Sequence, residues 1–127
     1  MAVILSFREL DVYAQAVRES KRIFELFKRF PKEETYSLTD QIRRSSRAVG
    51  AMIAEAWAKR IYRAAFVNKI NEALGEAMEI QAWLDHASAC DYLSTEEHEE
   101  LDAAWQSVGA MLNRMIDRAD CFCKTMP

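Results

Sequence analysis

Two histidines, three cysteines, scattered carboxylates and a crowd of arginines are the residues of this chain able to do chemistry. A carboxylate-bridged metal pair inside a helical protein takes Glu-x-x-His on two helices, because that step puts both ligands on one face. His86 and His98 have Trp83 and Thr95 at that step, so the ligand spacing is absent. Zinc needs more soft ligands than Cys121, Cys123 and the distant His98 supply. Cys90 stands beside Asp91 with no basic neighbour to favour its thiolate. No serine–histidine, cysteine–histidine or phosphate-loop pattern occurs. The residues predict no enzyme, no metal and no cofactor.

Two acids and a basic group are left. Glu55 and Glu79 each lie three or four residues from apolar positions, which predicts buried polar side chains. An interior acid is normally paired, and Arg43 or Arg44 is the expected partner. Between residues 43 and 69 stand Arg43, Arg44, Arg47, Lys59, Arg60, Arg63 and Lys69 against Glu55 alone. Such a group either binds phosphate, as RNA or DNA would supply it, or pairs with acids elsewhere in the chain. Residues 1–69 carry six more basic than acidic side chains, and residues 70–127 carry nine more acidic than basic. That asymmetry favours pairing between the halves, within a chain or between copies. A net charge of −3 argues against whole-surface nucleic-acid binding but leaves room for one basic patch.

The elements that hold these residues are helical. Only three glycines and two prolines punctuate 127 residues, and alternating β-branched runs are missing. A stripe of Tyr13, Ala16, Val17, Ser20, Ile23, Phe24, Phe27 and Phe30 predicts a first helix over about 9–30, stopped by Pro31. Leu38, Ile42, Ser45, Val49, Met52, Ile53 and Ala56 predict a second over 38–58, capped by Ser37 or Thr39. Lys59 and Arg60 suit a helix end, which places a short turn near 59–62. A seam from Phe66 to Ala87 predicts a third helix over 62–91. Ser94-Thr95-Glu96-Glu97 is a capping box that opens a fourth over 95–123. Trp57, Trp83 and Trp105 serve as core or interface anchors. The whole reads as one domain, residues 1–127: an all-α, antiparallel up-down-up-down four-helix bundle. Its apolar start, MAVIL, is too short for a membrane span and lacks a basic leader, and odd, scattered cysteines suit a reducing cytoplasm.

The second helix is unusual. Opposite its inner stripe stand Arg43 and Arg47, then Gly50, Ala51, Ala54 and Ala58. A solvent-facing helix normally carries charge there, and a helix that is small or apolar all round is covered on more than one side. Gly50, Ala51, Ala54 and Ala58 are therefore expected at an interface between copies of the chain. The alternative is alanine chosen for helix propensity alone.

The stretch FPKEETYSLTDQIRR, followed by RRSSRAVGAMIAEAW, resembles the four-helix-bundle family first met as open reading frames in intervening sequences of large-subunit ribosomal RNA genes. Phe30, Pro31, Glu34, Tyr36, Leu38, Gln41, Arg43, Arg44, Ile53, Ala54, Glu55, Gly75, Glu79, Tyr92 and Leu93 match its pattern. Phe7, Leu10, Val12, Tyr13 and Ala16 match its opening, so the likeness spans about residues 7–122. It implies an up-down bundle that forms pentamers. For some members it also implies an accessory role in diversity-generating retroelements, binding nucleic acid and a reverse transcriptase through a basic surface. Met52, Ala56 and Glu76 stand where the family has asparagine, glycine and serine. On this basis the chain is expected to be a non-catalytic homo-oligomeric scaffold, with a nucleic-acid-binding accessory protein as the alternative.

Overall fold

The computed structural model describes residues 3–123. Four long helices carry the chain: α1 (Asp11–Phe27), α2 (Leu38–Ala58), α3 (Arg63–Ala89) and α4 (Thr95–Asp117). A single turn, α5 (Ala119–Phe122), follows. Short 3-10 turns at Phe7–Glu9 and Lys32–Glu34 precede α1 and α2, and no strand occurs among the described residues.

Local chemistry sets the helix ends. Ser94 accepts the Glu97 amide at 3.1 Å, and Glu97 accepts the Ser94 amide at 2.9 Å, closing the capping box at the start of α4. A second box, Ser6 with Glu9, closes the 3-10 turn before α1. Ser37 occupies the position before α2 but makes no side-chain cap. The turn after α2 falls at 59–62, where Tyr62 N–H donates to the Lys59 carbonyl at 2.9 Å. At the end of α3 the chain turns through Asp91 at φ 60°. There the Tyr92 amide reaches the Ala87 carbonyl and the Asp91 amide reaches Ser88, a Schellman close that usually employs glycine. Two ends differ from expectation. α1 stops at Phe27, because Lys28, Arg29 and Phe30 tighten into three-residue bonds before Pro31. α4 breaks at Arg118, which leaves residues 119–122 as a separate turn.

In the helical bundle α1 packs on α2 and α4, and α3 packs on α2 and α4. Across these seams Ser20 meets Ser46 (3.2 Å), Lys69 meets Glu55 (3.2 Å) and Asp85 meets His98 (2.8 Å). The Gln15 amide donates to the Ala104 carbonyl at 3.4 Å, and Arg29 pairs with Glu97. Buried side chains form one cluster, with Trp105, Phe66, Ile53, Ile70 and Ile80 fully enclosed. Each such side chain contributes about 2 kcal/mol of burial.

The apolar stripe of α1 is rotated from its expected setting. Val12, Ala16, Glu19, Ile23 and Phe27 face the core, whereas Val17 is 48% exposed and Tyr13, Ser20 and Phe24 line the seam with α2. Glu19 permits this because Arg22 donates to its carboxylate at 2.8 Å, so the interior acid is paired at its edge.

Candidate functional site

The outer surface of α2 and the seam it shares with α1 hold most of the residues singled out in the sequence. Ala51 and Ala58 are exposed and Ala54 is half-exposed, so three of the four small residues do form a smooth outer strip. Gly50 does not belong to it. Its Cα is buried against α1, and a Cβ there would lie 3.7 Å from Tyr13 and 3.9 Å from Val17. The cause is the rotation of α1, which brings Tyr13 and Val17 over Gly50.

The basic group divides into three. Arg43 and Arg47 hold their guanidinium carbons 4.9 Å and 5.6 Å from the Phe24 ring centre, and the Lys28 ammonium lies 4.7 Å from the same ring. One aromatic ring thus gathers three cations at the α1/α2 seam. Arg43 also donates to the Phe24 carbonyl at 3.4 Å, while its Nε is buried without a partner. Arg60 stacks on Trp57 at 3.5 Å and donates to that residue's carbonyl. Arg44, Arg63 and Lys69 pair with acids: Arg44 with Asp40 at 3.6 Å on its own helix, Arg63 with Asp120 at 2.7 Å, and Lys69 with Glu55 at 3.2 Å. Among the described residues Arg43, Arg47, Lys59 and Arg60 make no ion pair, so acids of the second half neutralise only part of the group.

The two acids settle differently from expectation. Glu55 is exposed, not buried, and its partner is Lys69 rather than Arg43 or Arg44. Its position on α2 points past the core, toward the α3 flank. Lys69 bridges Glu55 and Glu72, and hydrogen bonds first to Glu72 and then to Glu55 raise its pKa. Glu79 is half-buried and accepts the Trp83 indole N–H at 3.2 Å. Beside it Glu76 is held above the usual carboxylate range, chiefly by burial and then by the charge of Glu79. Glu76, Glu79, Arg44 and Ser45 line a groove of about 330 Å³ between α2 and α3.

A second groove, about 310 Å³, lies between α1 and α2 and is lined by Tyr13, Val17, Ser46, Arg47, Gly50 and Ala51 among others, with no acid. Sequence reasoning missed Phe24 as the cation platform and Met78 as a large apolar residue left 57% exposed on α3. Phe24 had a signal, Lys28 one turn on; Met78 had one in its small neighbours Gly75 and Ala82. The three cysteines are free thiols; Cys123 is half-buried and its pKa is pushed up, first by burial. No helix among the described residues is long and apolar enough to cross a membrane.

Comparison with known proteins finds a family profile and solved structures that the chain resembles. The family profile described as 23S rRNA-intervening sequence protein matches residues 8–114. A crystal structure from Bacteroides thetaiotaomicron, of a protein with unknown function from the S23 ribosomal protein family, is 31% identical with a TM-score of 0.75. That likeness covers 84% of this chain and 95% of the other. No curated protein matches the chain.

Proposed function

The chain belongs to the 23S rRNA-intervening sequence protein family, and from that premise we propose that it is a non-catalytic scaffold that assembles with copies of itself into a closed ring, a pentamer. The bundle is read as one antiparallel up-down-up-down domain. Support comes from the seams: Ser20 sits beside Ser46 while Val17 sits beside Gly50, so α1 and α2 run opposite ways. Asp85 with His98 and Gln81 with Asp102 give the same sense for α3 and α4. The non-catalytic part rests on residue spacing, which offers no metal, nucleophile or acid–base pattern. Free thiols suit a reducing cytoplasm.

The observation that carries the proposal is the outer strip of α2, where Ala51, Ala54 and Ala58 leave small side chains at the surface over two turns, with Glu55 at its edge drawn to Lys69 of α3. Small residues permit the close approach of another helix. Ala54→Glu places a charge in the strip and is expected to lower the assembly state in sedimentation. An unchanged mass, with helix content intact, refutes the interface.

A second reading, a nucleic-acid-binding accessory protein, is favoured by Arg43, Arg47 and Lys28 around Phe24, since Arg43 and Arg47 have no acid partner among the described residues. Stacking aromatics with cations is how single strands are held, and a reverse transcriptase complex is the setting the resemblance implies. Labelled RNA and single-stranded DNA, titrated at two salt levels, test it. Binding that is strong at low salt and lost in Arg43→Glu with Arg47→Glu supports this reading; binding indifferent to both removes it.

A further inference from the structure

We infer that one copy seats Met78, on the outer face of its α3, in the groove between α1 and α2 of the next copy, where that copy's Arg47 meets Glu79 beside Met78. The inference rests on the self-assembly proposed above and names the two faces that meet. Met78 is 57% exposed and is the large apolar side chain on the outer face of α3. Its surroundings are flat: Gly75 has nothing within 4 Å of where a Cβ would stand, and Ala82 one turn on is exposed. A lone flexible knob on a smooth surface suits an irregular hole. The groove between α1 and α2 supplies one. It measures about 310 Å³, its walls include Tyr13, Val17, Gly50 and Ala51, and Val17 is itself 48% exposed.

Charge selects a second copy as the occupant. The groove is lined by Arg47 and no acid, and Arg47 makes no ion pair among the described residues. On the knob side two acids flank this flat surface: Glu79 follows Met78 across the outer ridge of α3, and Asp85, bonded to His98, lies two turns on. Glu79 also stands beside Glu76, whose carboxyl is held up first by burial and then by the charge of Glu79. An arginine from outside offsets that charge. The knob lies on α3 and the hole between α1 and α2, so one copy presents both and each to a different neighbour. Such a head-to-tail contact closes into a ring or runs on.

The test uses two exposed-site variants of the whole chain. Met78→Glu spoils the knob and leaves the hole; Ala51→Glu spoils the hole and leaves the knob. Masses come from light scattering and helix content from circular dichroism. Each variant alone is expected to fall to the 14.6 kDa of one chain. Mixed in equal amounts, they form a single good contact and give twice that mass, no more. Met78→Ala replaces Met78→Glu should the charge unfold the helix. A wild type that is monomeric overturns both this inference and the self-assembly beneath it. A wild type that assembles while both variants keep its mass overturns the pairing of faces alone. Variants that dissociate but never rejoin on mixing also overturn the pairing.

Discussion

Glu97→Gln removes one negative charge from the place where α4 begins and α1 ends. Glu97 accepts the Ser94 amide at 2.9 Å and the Arg29 guanidinium from the far end of α1. These contacts hold its carboxyl down to about 2, the Arg29 hydrogen bond most, then the Ser94 backbone. Glutamine keeps the shape and loses the charge. Weakening the cap costs about 1 kcal/mol. The pair with Arg29 adds up to about 1 kcal/mol more, since it lies at the surface where water screens it. The sum, about 1–2 kcal/mol near neutral pH, lowers Tm by about 4–8 °C for a chain of this length. A carboxyl bound more strongly in the folded state stabilises only while ionised. Its contribution is complete above the unfolded value of about 4.3 and drains away as pH falls toward 2. Wild type therefore loses this increment across that window, and the glutamine variant has none to lose. Thermal scans of both proteins from about pH 7 down to about pH 2, in low salt, are expected to show the Tm gap closing. A gap that stays constant means glutamine disturbed packing, and the charge argument fails.

Three further predictions follow from single positions. Gly50→Ala adds a Cβ at ordinary contact distance from Tyr13 and Val17, so it stabilises α2 by about 0.5–1 kcal/mol in urea unfolding; a loss of stability means the α1/α2 seam is tighter than described. Asp91→Gly relieves a residue at φ 60° and raises stability by about 0.5–1 kcal/mol, whereas Asp91→Val lowers it. Tyr92 donates to Glu34 at 2.8 Å, which pushes its phenol up to about 12, first through that hydrogen bond. Ultraviolet titration is expected to show one late ionisation near 12 that vanishes in Tyr92→Phe.

Much of this architecture is legible residue by residue. Ser94 and Glu97 announce the start of α4 because a cap is a local arrangement of four residues. The turn at 59–62 follows from two cations at a helix end, and the seams of α2, α3 and α4 follow from apolar spacing. What the sequence conceals depends on partners. The setting of α1 turns on Glu19, which looks like a surface acid until Arg22 pairs it at the core's edge. Gly50 reads as outward until Tyr13 and Val17 are rotated over it. Glu55 sits next to apolar positions yet leans out to Lys69, because burial is set by helix orientation rather than by neighbours in the chain. The arginines could not be sorted in advance either. Whether each meets an acid, an aromatic ring or solvent depends on which helix lies across the seam.

The mass of the unmodified chain in dilute solution tests the central claim most directly. If a second copy covers the outer strip of α2, light scattering returns several times 14.6 kDa, and five times that value for the pentamer implied by the resemblance. A steady 14.6 kDa across concentration leaves Ala51, Ala54 and Ala58 in water and contradicts the account.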